Sequence, residues 1–470
     1  MYKITAIGLG LDENDVTLKA VEVIKSGVKL VARTNLALSY NTVKNLVGEV
    51  PSLDYCYEKS RNFDTLNKNL AKEVISMAKT CDVAYLVDGS AVEDNSVKEI
   101  AKKYKNLEII SGVSASNKCL EKIKEVESGY TVISAYDIAR MRFATYPLIV
   151  YAIDTPKTAS EVKLILSDLV GEETTATVVN KKGVFEIKLY ELDRIGGYGY
   201  DCSLYISKNS LTQKQRFDFG DLIEVLENLR GENGCPWDKV QTPKSIEKNL
   251  IEETYELIDA IEEGDDDKII EETGDVLLQA AFQMIFGVES HTFSVVDVLT
   301  GICSKLISRH THVFGSDKAT DATSALDVWN KNKAVEKGYE SGADYLKAVP
   351  RNFPALMRAE KVSSRAGKHN LDFSSYEEVF DKLNEEIIEL KNAIKLGNAD
   401  SIKEECGDLM FSAINLLRKL GVEGETSLNA STDKFISRFE KLEKAVILDG
   451  KNLKDLSASE VDEYYRKAKV

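Results

Sequence analysis

Glu252-Glu253-Thr254-Tyr255-Glu256, with Glu272-Thr273-Gly274-Asp275 following, recurs 133 residues on as Glu385-Glu386-Ile387-Ile388-Glu389 and Glu405-Cys406-Gly407-Asp408. On an α-helix, residues three and four apart share a face, so Glu252, Glu253 and Glu256 converge, as do Glu272 and Asp275 on the next helix. Like charges placed so cost a few tenths of a kcal/mol per pair, about 0.2–0.5 in isolated helices. The segment after Asp275, Val276-Leu-Leu-Gln-Ala-Ala-Phe-Gln-Met-Ile-Phe286, is too apolar for a solvated face, so acids and core lie on one element. Converging, partly buried carboxylates need a counter-charge. A hard divalent cation with oxygen ligands supplies it, Mg²⁺ first when a phosphorylated substrate completes the octahedron, with Mn²⁺ as the alternative.

One isolated E-E-x-x-E reads most simply as a solvent-facing acidic helix. The second copy, the same sixteen-residue step from Glu256 to Glu272 and from Glu389 to Glu405, and the matched Gly274 and Gly407 outweigh that reading. Lys305-Leu-Ile-Ser-Arg309 is echoed by Lys434-Phe-Ile-Ser-Arg438 at an offset of 129. The C-terminal half is therefore expected to hold two copies of one helical module, 215–345 and 346–470. Its apolar residues recur at helical spacing through 222–229, 246–263, 267–286, 376–396 and 401–420.

Upstream the pattern changes. Short β-branched runs at 4–8, 28–32, 83–87, 107–110, 148–153 and 175–179 alternate with helical stretches, the signature of an α/β domain with a largely parallel sheet over 1–210. The polar stretch 207–215 lacks hydrophobic periodicity and marks the boundary. The fold class expected is thus multidomain, an N-terminal α/β region followed by an all-α region of two repeats.

The chain has 470 residues, with 77 acidic against 61 basic side chains, a net charge of −16. Such a field repels phosphate backbones and anionic bilayers, which argues against duplex nucleic acid and membrane as partners. Seven cysteines are scattered without C-x-x-C spacing, against a disulfide framework or zinc knuckle. The N-terminus enters a strand-like run without a basic leader, and no window of 18 residues is uninterruptedly apolar, so a cytoplasmic location is expected.

These residues resemble the MazG family of all-α nucleoside triphosphate pyrophosphohydrolases. More of the pattern is present in Gly234-Cys235-Pro236-Trp237-Asp238-Lys239, Ser308-Arg309-His310-Thr311-His312-Val313-Phe314 and Pro354-Ala355-Leu356-Met357-Arg358-Ala359-Glu360-Lys361. The resemblance covers about 250 residues. It implies hydrolysis of a nucleoside triphosphate between the α and β phosphates, in nucleotide-pool housecleaning or stress signalling. By carry-over, the metal ligands are Glu253, Glu256, Glu272 and Asp275 in the first copy and Glu386, Glu389, Glu405 and Asp408 in the second. Glu252 and Glu385 become the carboxylates that activate water or support the ligands from outside.

The leaving pyrophosphate needs cations. Arg230, Lys239, Lys305 and Arg309 are candidates for the first copy, and Lys361, Arg365, Lys434 and Arg438 for the second. Trp237 is a candidate for stacking on a base, against the commoner role of a tryptophan in a core. His310 and His312 have no zinc-ligand spacing and are read as capping or phosphate contacts.

At the N-terminus, Gly8-Leu9-Gly10 ends a strand, and Val87-Asp88-Gly89-Ser90-Ala91 and Ser111-Gly112-Val113-Ser114 follow later strands. This order resembles the tetrapyrrole (uroporphyrin-III/corrin) methylases, which use S-adenosylmethionine, over about the first 150 residues. Where that family has G-x-G-P-G, this chain has Gly8-Leu9-Gly10-Leu11-Asp12, and Asp88-Gly89-Ser90-Ala91 replaces a Pro-Gly-x-Pro turn. Exchanging rigid prolines alters the loop backbone, so the fold is expected to persist in degenerate form while methyl transfer is lost. Ser160-Glu161-Val162-Lys163 and Leu189-Tyr190-Glu191-Leu192-Asp193-Arg194 resemble bacterial fusions of this domain to MazG. Competing readings are an S-adenosylmethionine-dependent methyltransferase with a helical regulatory half, and a non-catalytic nucleotide sensor. Apolar helix faces and the MazG resemblance both imply a homodimer.

Overall fold

The computed structural model describes residues 2–61, 63–126, 128–337 and 341–469. The chain divides into two compact units, Met1–Val298 and Leu299–Val470. The division falls inside the helix Val295–Arg309, and each unit carries one of the two acidic helix pairs.

Among the described residues, all strands precede 207. Strands β1 (Ile4–Gly8), β2 (Lys29–Ala32), β3 (Val83–Val87) and β4 (Leu107–Ile110) form a sheet of order β2-β3-β1-β4, parallel throughout. β1 and β3 are buried along their whole length, as central parallel strands covered on both faces must be. Tyr85, Leu70, Val74 and Ile100 pack against one side, and Leu86, Ile24 and Val43 against the other.

The second sheet departs from a largely parallel arrangement. β5 (Thr131–Ser134), β6 (Leu148–Tyr151), β7 (Thr175–Asn180), β8 (Gly183–Lys188) and β9 (Ser203–Ile206) take the order β5-β6-β9-β7-β8. Only β5 and β6 run parallel; the remaining pairings are antiparallel. β5, β8 and β9 went unseen in the sequence, and β8 sits at an edge with charged positions on its open face. β7 and β8 form a hairpin across Lys181-Lys182, and that turn lets the chain return antiparallel without a crossover helix.

From Phe219 onward the described elements are helical. The two acidic pairs are built alike. The helix Glu247–Glu263 stops at Gly264, which takes the left-handed conformation at φ +70°, and Asp265 then accepts from the amides of Asp267 and Lys268 to start Asp266–Glu289. The helix Tyr376–Leu396 stops at Gly397, φ +68°, and Asn398 caps Ala399–Lys419 through the amides of Asp400 and Ser401. A glycine free to adopt positive φ, followed by a capping Asp or Asn, folds each helix back on its predecessor within two residues. In the first unit the pair is anchored by Phe282, Ile285 and Phe286 against Leu226 and Ile246. In the second, Leu442, Val446, Tyr464 and Ala468 form a small core. No helix among the described residues is long and apolar enough to cross a membrane.

Candidate metal centres and nucleotide site

Helical spacing brings Glu253 to the same place as Glu272 and Asp275 across the first turn: one oxygen from each lies within 4.8 Å of the others. The second pair does the same with Glu386, Glu405 and Asp408. Glu256 and Glu389 stand outside these two groups of three but close to them, since Glu256 raises the pKa of both Glu253 and Glu272 and Glu389 raises that of Glu405. The carboxyl of Glu253 sits above its ordinary value through partial burial, then through Asp275, Glu256 and Glu272. Glu272 is raised by desolvation, then by Glu256, Glu271 and Asp275; Glu405 is raised by desolvation, then by Glu389, Glu386 and Asp408. Unrelieved repulsion of this kind is what a cation would remove.

The donors suit a hard divalent ion, whose oxygen ligands at about 2.1–2.4 Å stand about 3–4.5 Å from one another. Glu252 is held by Lys248 at 2.6 Å, and Glu385 by Lys382 at 3.0 Å. Lys382 also reaches Glu386 at 2.9 Å.

The candidate cations fall into three kinds. Arg230 is engaged structurally: its Nε and Nη2 donate to Glu289, each at 2.7 Å, its Nη1 donates to the carbonyls of Asp238 and Gln241, and its guanidinium lies on Phe286. Lys239 donates to the carbonyl of Glu232 at 2.8 Å. Lys305, Lys361 and Lys434 are exposed, while Arg365 and Arg438 are half-buried. Arg365 donates to the carbonyl of Tyr345 and stacks on its ring.

Arg309 is the third kind, 5% exposed, forked onto Glu336 at 2.8 and 2.9 Å and stacked on Trp329. Lys333 lies over the same indole at 4.7 Å. Its ammonium is pushed below its ordinary pKa by desolvation, then by Arg309, Lys361, Arg365 and Lys368. Two cations thus lie on one indole, with Lys361, Arg365 and Lys368 near enough to Lys333 to act on its charge, a surface suited to an anionic aromatic ligand. Sequence reasoning missed Trp329 and Lys333, although their spacing of four on one helix was a readable signal. Trp237 is 60% exposed and is not a core residue. His310 Nδ1 contacts the carbonyl of Leu306, and neither it nor His312 belongs to a three-ligand group among the described residues.

In the N-terminal domain the three strand-end loops close on one another. A Cβ on Gly8 would meet Gly112 N at 2.5 Å and Gly89 O at 2.6 Å, so the close approach requires glycine. Gly10 and Gly89 exchange backbone hydrogen bonds at 3.1 and 2.8 Å. The amide of Leu9 donates to Val87 O, and those of Leu11 and Asp12 to the Asp15 carboxylate. Every amide from Leu9 to Asp12 is therefore engaged within the domain. Asp88 is pushed up to about 6 by burial, with Arg33 opposing and Asp94 adding to the shift. Ser114 caps the helix Ala115–Ile123 through the amide of Asn117.

Residues 241–314 and 374–442 match the MazG nucleotide pyrophosphohydrolase domain, and these ranges contain both acidic clusters. The chain is 30% identical to the uncharacterised protein YabN of Bacillus subtilis, over 99% of this chain and 98% of that one. It is 40% identical to the nucleoside triphosphate pyrophosphohydrolase/pyrophosphatase MazG of Thermotoga maritima, over 53% of this chain and 95% of that one. Among solved structures, the uroporphyrin-III-C-methyltransferase of Thermus thermophilus is similar over 44% of this chain and 95% of that one, at 17% identity and a TM-score of 0.35.

Proposed function

The chain belongs to the MazG family, and from that premise we propose that it is a hydrolase of acid anhydrides that cleaves a nucleoside triphosphate to the monophosphate and pyrophosphate. The observation that carries this reading is the pair of three-carboxylate groups on matched helix hairpins, each within a MazG segment. Glu253, Glu272 and Asp275, supported by Glu256, would hold Mg²⁺ in the first copy, and Glu386, Glu405 and Asp408, supported by Glu389, in the second. When bound, the ion supplies neutralisation of the triphosphate and acidification of a water ligand. Glu252 and Glu385 orient the attacking water toward the α phosphorus. Oxygen attack there breaks the bond to the bridging oxygen, and pyrophosphate leaves with that oxygen.

Arg309, Lys333 and exposed Lys305 are the cations proposed to meet the substrate's phosphates. Trp329 is the aromatic proposed for the base, which would take the place of the Lys333 ammonium over the indole, and a stacking platform of this kind accepts every base. Lys361, Arg365, Lys434 and Arg438 serve the second copy. Methyl transfer is not proposed, because the first glycine loop has its amides engaged internally.

A homodimer belongs to the same reading. Val296, Leu299, Ile302 and Leu306 form an exposed stripe on the helix Val295–Arg309, and Leu428, Phe435, Ile436 and Phe439 form another on Gly424–Leu448. Contiguous apolar surface of this kind is characteristic of an interface between subunits. The housecleaning or stress-signalling role is part of the proposal.

Pyrophosphate release from a panel of ribo- and deoxyribonucleoside triphosphates, with and without Mg²⁺, tests the reading. Glu253→Gln and Glu386→Gln assign turnover to one module or to both. Absence of pyrophosphate from every triphosphate at micromolar enzyme would refute it.

A further inference from the structure

The two acidic hairpins are alike in turn, spacing and converging carboxylates, yet they differ in whether a lysine meets one of those carboxylates. In the second, the Lys382 ammonium bridges Glu385 at 3.0 Å and Glu386 at 2.9 Å. Glu386 is one of the three converging carboxylates, and its side chain is only 5% exposed. The 133-residue repeat puts Asn249 where Lys382 stands. The nearest lysine in the first copy, Lys248, is one position earlier on the helix and meets Glu252 at 2.6 Å, which is not one of the three. One residue turns a helix by about 100°, so the same residue type serves the outer carboxylate in one copy and a member of the cluster in the other.

We propose that Lys382 is a built-in competitor for the divalent cation, so that the two modules of one chain bind metal with unequal affinity, the first more tightly. The inference rests on the reading of both clusters as metal centres. An ammonium at hydrogen-bond distance from a buried carboxylate offsets part of the repulsion that otherwise drives metal uptake. An incoming ion must break that pair and move the ammonium, because both bind the same carboxylate. Once displaced, the flexible lysine stem keeps its charge beside the centre, where phosphate oxygens of a substrate would meet it. The second module would thus couple metal occupancy to phosphate, while the first would load metal alone.

A partly exposed ion pair contributes about 0.2–1 kcal/mol, and the buried partner here favours the upper end, which corresponds to a weakening of metal binding of about three- to five-fold. The test is titration of the full chain with Mn²⁺, reading free Mn²⁺ by its electron paramagnetic resonance signal, without nucleotide. The wild type is expected to show two classes of site, the weaker removed by Glu386→Gln and the tighter by Glu253→Gln. Lys382→Met should tighten the weaker class until the two merge. Asn249→Lys should weaken the tighter class by a similar factor, and being a gain of charge on an exposed helix it does not depend on removing a stabilising pair. Unchanged affinity in both Lys382→Met and Asn249→Lys, with circular dichroism as in wild type, overturns the inference and leaves the proposed function standing. Loss of the tighter class in Glu386→Gln overturns it as well. No bound Mn²⁺ at all would overturn it together with the metal-dependent function.

Discussion

Arg33 lies just beyond the end of β2, buried with its side chain 10% exposed, and the opposing Asp94 is 0% exposed. A guanidinium nitrogen meets one Asp94 oxygen, Arg33 Nε donates to the Tyr57 hydroxyl at 3.0 Å, and the second Asp94 oxygen accepts from Ser96 Oγ and from the Val97 amide at 3.0 Å. Burial is the largest influence and works against the charge on Arg33; Asp94, with Tyr57, Tyr85 and Tyr200, together outweighs it and leaves the guanidinium well above its usual pKa. Asp94→Asn keeps the shape and an oxygen for the Val97 amide but leaves a buried cation without its counter-ion, which costs about 3–5 kcal/mol. Asp94→Ala also removes the cap of the helix Asn95–Lys103, about 1 kcal/mol more. Adding Arg33→Met to Asp94→Asn removes the unpaired charge, so the double variant should recover to within about 2 kcal/mol of wild type, a coupling of at least about 1–3 kcal/mol. Because the chain has several cores, one global unfolding curve is unsuited; hydrogen exchange at the β3 amides Val83–Val87 reads the opening of this domain directly. A loss below about 1 kcal/mol in Asp94→Asn, or a double variant as unstable as the sum of the singles, would refute the reasoning.

Three further outcomes are expected. Asp372, bonded to Arg418 and, at 2.9 Å, to Lys419, has its pKa lowered to about 2 by Arg418 first, against desolvation; since the folded value is depressed, its contribution of about 1–2 kcal/mol is present above pH 4 and lost as pH falls toward 2, and Asp372→Asn should cost that much in denaturation at pH 7 but little at pH 2–3. Glu272 is raised in the fold by desolvation and its acidic neighbours, so the metal-free chain loses stability as pH rises through the carboxylate range; Glu272→Gln should raise the thermal midpoint in chelator at pH 8 and diminish the rise that Mg²⁺ gives the wild type, and a lower midpoint in chelator would contradict it. Trp329→Ala should raise KM about tenfold for purine and pyrimidine triphosphates alike with kcat little changed, as removal of a stacking face worth about 1–3 kcal/mol predicts; a change in kcat alone would assign the indole to packing.

The acidic hairpins were legible because helical spacing is a local property. Glu253, Glu272 and Asp275 meet through two helices and one two-residue turn, and nothing distant is needed to place them. Their recurrence at a fixed offset supplied a second measurement of the same pattern within one chain. The partners of Arg230 were not legible for the opposite reason: Glu289 and the carbonyls of Asp238 and Gln241 come together only through packing of separate elements. The strand order of the second sheet was hidden similarly, since β9 inserts between β6 and β7 over long sequence separations. Trp329 lay between these cases, with its lysine visible at four residues' spacing but Arg309 arriving from a different helix.

On the proposed reading, stability and metal use would pull in opposite directions at the two clusters. Each cluster keeps three carboxylates close enough to repel, a repulsion that a cation would relieve. A chain with one such cluster could tolerate it; a chain with two carries the penalty twice. Lys382 pairs with Glu386 in the second cluster without removing an acid, and on the reading of the clusters as metal centres a flexible side chain could yield to the ion, whereas a substitution of Glu386 would remove a proposed ligand. Across the many substitutions that separate the two copies, the six converging carboxylates and the Gly264 and Gly397 turns that aim them remain matched.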